Sequence, residues 1–470
     1  MASITRACSA SSPLSSRSKS RLYAGPGFAA STTGDMAITM SDVEAKLLDH
    51  YLTHTCHIIS FDEQDHLPLH VGIPELAMRC RPLMDSVLAL AAACECCDII
   101  DGATGNVKTL GVEQTDRILE LLTFSERRHG DSLRGVQSLI SDPDSRASVL
   151  ANAALITIYG SASHQIRLWL FKATRRCRSD PLPYIYRPYL VQWIYLFKSV
   201  YLACNGLQDT VYGPDTPTST ILSHSSQVEP LPIIVQPSTI TSHSLFEVMV
   251  TTWDHALESL SARAELVLTA EPSSHAHTCS QALRALDSLA AQLFSVNDPL
   301  PFMTMRKDSV SPLDVSPLAQ ISRVPSWLHM YLARATCQAP SIPLRRTRTV
   351  MAFVNRVPAD YLTLVETSLN YINAPELDDV GSSKSQSTSS YQLAMDILAH
   401  WLVFVMLLDG LWWIGETGPW ELELVISVVR TKDWGADLIE EEGEWWPEEM
   451  LMIRDTRQRM SSGTRNWDLD

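Results

Sequence analysis

The residues of this chain best suited to chemistry are cysteines and histidines. Cys94, Cys96 and Cys97 make the one tight cysteine cluster, inside DSVLALAAACECCDII. The surrounding Val87, Leu88, Leu90 and Ala91 to Ala93 read as helix. On a helix Cys94 and Cys97 share a face at i,i+3, a spacing that suits a redox pair or half of a metal site. A four-ligand zinc site needs a second pair at suitable spacing, and none follows. These thiols are therefore expected to be buried and to pack much as alanine does. His54, His57, His66 and His70 fall within seventeen residues, with Cys56 among them. Pro68 stands between His66 and His70, so LPLH reads as a loop and the histidines as satisfied or solvent-facing. No phosphate-binding glycine loop, H-E-x-x-H or G-x-S-x-G elbow is present. The residues thus predict no catalytic residue, no metal and no cofactor.

The elements that must position these residues are helices. Ser41 and Glu44 form a capping box ahead of Leu47, Leu48, Tyr51, Leu52 and Ile59. Pro74 begins a short helix, and Pro82 opens the long apolar one that bears the cysteines. Amphipathic pieces follow at Val112 to Arg127 and Leu133 to Ile140, then an almost wholly apolar helix at 149–159. Residues 188–207, PYLVQWIYLFKSVYLACNGL, form another helix, expected to end at Asn205 and Gly206. Helical periodicity returns at Leu245 to Arg263, Gln281 to Phe294, WLHMYLARATCQ, Val350 to Val354 and Tyr361 to Ile372. No alternating period-2 segment competes, so the fold class is all-α, one large helical domain over 41–470 with long disordered insertions. One insertion, about 209–244, holds five prolines among many Ser and Thr residues.

Tyr391 to Gly415, YQLAMDILAHWLVFVMLLDGLWWIG, is apolar on nearly every side. Ile397, Leu398, Trp401, Leu402, Val405 and Leu408 make one stripe at helical spacing, and Val403, Phe404, Met406 and Leu407 fill the opposite side. Both faces need cover, so this helix belongs at the centre of the body. Its apolar run is short of the roughly 20 residues that cross a bilayer, and Asp396, His400 and Asp409 interrupt the window, so no membrane span is expected.

Composition agrees with a folded, soluble body. Of 470 residues 45% are apolar and 19% charged, enough for a sizeable core. A formal charge of −16 and a pI near 5.3 argue against the chain as a whole gripping a phosphate backbone. Ten scattered cysteines without a secretory signal suggest a reducing compartment. Residues 1–40 are rich in Ser, Ala and Gly and have no acidic residue before Asp35. They bury too little to fold alone and read as a disordered basic segment. SRSKSR suits a weak nuclear-import patch, while Arg6, Arg17, Lys19 and Arg21 also fit a mitochondrial presequence.

Three ordered stretches resemble the regulatory domain of fungal zinc-cluster transcription factors. The first is LLDHYLTHTCHIIS (47–60) with VGIPELAMRCRPLMDSVLALAAAC after it. The second pairs VLANAALITIYG with VQWIYLFKSVYL, where Lys198 and Ser199 stand in place of the more usual arginine and glycine. The third is the L-A-H-W helix running into W-W-I-G. The family's DNA-binding module needs six cysteines in two C-x-x-C groups, and this chain has only Cys8 before residue 50. The resemblance therefore implies a naturally shortened regulator, or the effector and activation part of a longer protein. It implies nuclear location, pairing with other regulators or a second copy, and possible control of a metabolic or secondary-metabolite gene set. It also implies an apolar effector in a cavity walled by His400, Trp401, Phe404 and Trp412.

From Asp433 to Glu449 there are eight acidic residues and no basic ones, interleaved with Trp434, Trp445 and Trp446. An acidic, tryptophan-bearing tail at about 433–450 resembles activation segments, which keep apolar side chains accessible by surrounding them with charge; a solvated edge with its tryptophans packed inward is the competing reading. Two readings from other classes compete with a transcription regulator: an imported mitochondrial helical protein, and a terpene-cyclase-like all-α enzyme. The latter rests on Asp378 and Asp379 alone, too few oxygens to hold magnesium well, so no enzyme is expected.

Overall fold

The computed structural model describes residues 40–61, 63–104, 112–177, 192–209, 243–270, 272–294, 324–336, 346–373, 388–431 and 445–464. Among them there is helix and turn but no strand, as the periodicity predicts. The segment 1–39, the insertion at 210–242, Asp378, Asp379 and Trp434 lie outside the described residues.

Helix α1 (Asp42–His50) opens on the expected capping box. Ser41 Oγ accepts from the Glu44 amide at 3.3 Å, and Glu44 Oε2 accepts from the Ser41 amide at 2.8 Å. The chain continues through a π-helical turn, Tyr51–Thr55, into α2 (Cys56–Ile58). Next come α3 (Glu63–Leu67), a second π-helical turn at Pro68–Gly72, and α4 (Ile73–Ala77). LPLH is therefore helical and not a loop. Pro68 continues the helical run from α3, and Gln64 O, which the missing N–H leaves free, accepts from Arg334 Nη2 at 2.8 Å. Tyr51, fully buried, donates from its hydroxyl to Leu69 O at 3.1 Å and ties the two π-helical turns together.

Helix α5 (Arg81–Thr104) lies under these short helices and against α6 (Val112–Leu139) and α7 (Arg146–Cys177). Every residue from Leu83 to Cys94 is buried, and the run of alanines lets the neighbouring backbones come close. Ser86, Ser132 and Asn152 form a polar pin between the three helices, with contacts of 2.7 to 3.0 Å. The two amphipathic pieces expected at 112–140 are one helix, which passes straight through Gly130 and Gly135. Helix α8 (Gln192–Asp209) packs on α7 and runs three residues past Gly206, so Asn205 and Gly206 do not end it.

The second half is arranged around one helix. After α9 (Phe246–Ala270), α10 (Ser274–Phe294), α11 (Ser326–Ala335), α12 (Arg346–Arg356) and α13 (Ala359–Asn373) comes α14 (Thr388–Val405). A 3-10 turn, Met406–Leu408, leads on through the tryptophan pair to α15 (Thr417–Thr431). Helix α16 (Trp446–Thr464) closes the described chain. Helix α14 packs on α9, α10, α13, α15 and α16, and every residue from Leu393 to Leu408 is buried. The stretch Ser389–Leu408 does meet the length and composition of a membrane span, contrary to the length argument from sequence. Its most apolar window is 89% buried within the fold, as the core helix of a folded body is. Gly415 ends the W-W-I-G turn at φ +47°, a left-handed conformation that glycine adopts without strain.

Candidate functional site

Three places bring functional groups together, and the first is α14 itself. His400 is buried, with Nδ1 2.8 Å from Asp396 O and 3.1 Å from Asp396 Oδ1, and its ring stacks on Trp446 at 5.3 Å. Asp396 also accepts from Arg263 Nε at 2.8 Å and from Trp445 Nε1 at 2.9 Å. Burial alone would raise the Asp396 carboxyl, but His400, Arg263 and Trp445 outweigh it and hold the group below its ordinary value, as an anion. Trp401 donates from Nε1 to Val350 O at 3.0 Å and lies between Trp193 and Phe353. Phe404 meets Trp253 at 5.0 Å. Three of the four expected effector-wall residues are thus closely packed core. Trp412 is partly buried, and its Nε1 is enclosed with no hydrogen-bond partner. Trp445 and Trp446 are buried too, and Trp446 Nε1 donates to Thr252 Oγ1 at 2.9 Å. These two tryptophans therefore hold the core and are not presented to solvent as an accessible activation segment.

The second place is a cleft of about 60 Å³. A water needs roughly 10–15 Å³ measured this way, so there is room for a few heavy atoms. Its apolar wall includes Phe61, Ala154, Ile158, Phe197, Val200 and Trp413, and is completed by residues of α11 and α12 such as Leu332, Ala335 and Met351. His400, Trp401, Phe404 and Trp412 are not among its lining residues; the tryptophan that reaches it is the neighbour, Trp413. Its polar lining includes Arg348, Thr336 and Asn355. Arg348 pairs with buried Asp65, which Arg334 Nη2 approaches at 3.1 Å from α11. Thr336 donates its hydroxyl to Leu332 O. Asn355 donates from Nδ2 to Thr336 O at 3.1 Å, but its buried Oδ1 accepts no hydrogen bond. Beside the cleft, the Lys198 ammonium donates to Asn355 O at 2.9 Å and to Val357 O at 2.7 Å, closing the end of α12. Burial lowers the pKa of this amine. No sequence signal marks the cleft, because its wall comes from positions far apart in the chain.

The third place is the edge of α5, where sequence reading separated residues that the fold collects. His50 and His54 face Cys94 and Asp98. His50 Nε2 lies 3.2 Å from Asp98 Oδ2, His54 Nε2 lies 3.2 Å from Asp98 Oδ1, and Cys94 Sγ lies 4.0 Å from Asp98 Oδ2. A second group gathers Cys56, His57 and His70, with Cys56 Sγ 3.2 Å from His70 Nδ1 and the His66 ring 5.0 Å from both His57 and His70. Pro68 does not part His66 from His70, because the second π-helical turn brings them together. The three clustered thiols go separate ways. Cys96 points to Ile118 O, Cys97 is buried, and Cys94 faces the histidines, its thiol pushed by burial up to about 12. The signal missed in sequence was a pairing: His50 with His54 and Cys94 with Asp98, each at i,i+4 on a helix.

No family model matches the chain, and comparison with curated proteins and with solved structures gave no match.

Proposed function

We propose that this chain is a fungal transcription regulator that works by recognition and not by catalysis. It would bind a small apolar effector and reach promoters through a partner regulator or a second copy of itself. The observation that supports this reading is the composition of the cleft wall. Phe61 directly follows the first stretch of the resemblance, Ala154 and Ile158 belong to the second stretch, as do Phe197 and Val200, and Trp413 belongs to the third. The three stretches thus contribute part of the cleft lining, which α11 and α12, outside the resemblance, complete.

The chemistry of the wall defines the effector class. Arg348 is engaged by Asp65, so the cleft does not call for an anion. The unsatisfied Oδ1 of Asn355 calls for a hydrogen-bond donor, since a buried acceptor without a partner costs about 1–3 kcal/mol. A small uncharged apolar molecule bearing one hydroxyl or amide N–H fits both requirements.

The test tethers the full chain to a heterologous DNA-binding domain above a reporter gene in fungal cells. The expected result is a several-fold change in reporter output relative to the DNA-binding domain alone, with nuclear signal from the tagged protein. A folded, abundant, nuclear fusion that leaves the reporter unchanged would overturn the proposal. So would recovery of the untethered protein as a shortened product in mitochondria.

A further inference from the structure

We infer that His50, His54, Cys94 and Asp98 form a binding site for a divalent transition metal of borderline softness, with zinc as the natural occupant. Two helical pairs face each other, each at i,i+4, so each helix presents two ligands on one side. The four donor atoms all lie within 4.8 Å of one another. Zinc bonds of about 2.0–2.3 Å imply edges of about 3.3–3.6 Å in a tetrahedron of nitrogen, oxygen and sulfur. The Asp98 carboxylate lies 3.2 Å from each imidazole, through a different oxygen to each, and 4.0 Å from Cys94 Sγ, while the other edges are no longer than 4.8 Å, so the four side chains must draw in by up to about 1 Å to close the polyhedron. Two imidazoles, one thiolate and one carboxylate also suit zinc better than magnesium or calcium, which prefer oxygen alone.

Two further observations point to a built site. Thr55, fully buried, places its hydroxyl 3.1 Å from His50 Nδ1, which leaves Nε2 directed at the other three ligands. Metal-bound histidines are oriented by such an outer hydrogen bond. In addition, the chain between His50 and Thr55 is π-helical, a rare distortion that concentrates at functional positions. Tyr51 fixes that turn from the buried side through its bond to Leu69 O. The histidines and Asp98 are open enough for an ion to enter, with His54 44% and Asp98 43% exposed at the side chain. On binding, the Cys94 thiol gives its proton to solvent, and the Asp98 carboxylate exchanges its contacts with the two imidazoles for a bond to the metal. The ion would clip the π-helical turn to α5 and so brace the short N-terminal helices. The neighbouring group of Cys56, His57 and His70 has three donors within the same spacing and no carboxylate, so it is the poorer site.

The test titrates cobalt(II) into the metal-free full chain under reducing conditions. One equivalent is expected to bind with the intense visible bands of tetrahedral cobalt and a near-ultraviolet thiolate charge-transfer band. Cys94→Ser should remove the charge-transfer band. His54→Gln and Asp98→Asn, both at exposed positions that leave the core intact, should each weaken binding at least about 100-fold. Cys56→Ser and His70→Gln should change neither spectrum nor affinity, and zinc should displace the cobalt. Absence of stoichiometric binding overturns the inference. A charge-transfer band that survives Cys94→Ser and vanishes in Cys56→Ser overturns it as well, because the metal then sits in the neighbouring group.

Discussion

Helices α5 and α14 are both buried along most of their length, yet they are enclosed by different means. Around α5 the cover is close backbone packing over small side chains, from Ala89 and Ala91 to Cys94, with a short polar pin at Ser86, Ser132 and Asn152. Around α14 the cover is aromatic: Trp193, Trp253, Phe353 and Trp446 enclose His400, Trp401 and Phe404, and one buried carboxylate, Asp396, holds three helices together. Small side chains leave the edge of α5 reachable, and there the chain collects its imidazoles and thiols. Large rings fill α14 to the limit, so its polar groups serve each other. The lesson is that the most distinctive stretch of a sequence can be its scaffold, while the reactive groups gather beside a plainer helix.

The contrast breaks first at Asp396. Replacement by alanine leaves the Arg263 guanidinium, His400 and the Trp445 N–H without their shared acceptor. The expected loss is about 3–5 kcal/mol in urea denaturation. A loss below about 1 kcal/mol would mean that this carboxylate does not organise the aromatic half. Trp401→Ala should cost a similar amount, about 3–5 kcal/mol, through the cavity it leaves between Trp193 and Phe353.

The opposite kind of change tests α5. Ala92 is fully buried, and Ala92→Leu should cost about 1–3 kcal/mol by overpacking, whereas a helix with slack around it would accept the larger side chain. A smaller effect is expected at Gly415, where any side chain must adopt φ near +47° and would meet Gln165. Gly415→Ala should cost about 1–2 kcal/mol by thermal unfolding.

Acid separates the two halves most gently. Burial lowers the His129 imidazole to about 4, where its ring lies tilted against Tyr159 at 4.4 Å. Its folded value lies below its ordinary 6.5, so the unfolded chain takes up the proton first. Its contribution is therefore complete above pH 6.5 and is lost as pH falls toward 4. Asp396, held below 3.8, keeps its contribution until stronger acid. Hydrogen exchange between pH 7 and 4 should show α6 and α7 loosening before α14, and His129→Phe should flatten the slope by about 1 kcal/mol. Simultaneous loosening of all three helices would erase the distinction.

What the sequence disclosed follows from how local each signal is. Ser41 and Glu44 state a helix start within four residues, and the apolar period of Ile397 to Leu408 states burial on both faces. Pro68 misled because proline disfavours a helix interior, whereas here the run continues as a π-helical turn and Arg334 takes the carbonyl that the proline leaves free. Gly206 misled in the same way, since α8 runs on past it. The cleft wall depends on contacts between distant residues, which composition and spacing do not encode; the i,i+4 pairs His50–His54 and Cys94–Asp98 can be read in the sequence, but not that the two pairs meet.

The most direct measurement compares the tethered reporter for Ala335→Phe and Phe404→Leu at matched protein abundance. Ala335 lines the cleft yet is exposed, so phenylalanine there narrows the cleft without overpacking the core, and Phe404 lies in the packed aromatic set. The expected result is a several-fold change in output for Ala335→Phe with an unaltered Tm, and a lowered Tm with unaltered output for Phe404→Leu. Unchanged output in the cleft variant alongside lost output in the α14 variant would contradict the assignment of recognition to the cleft.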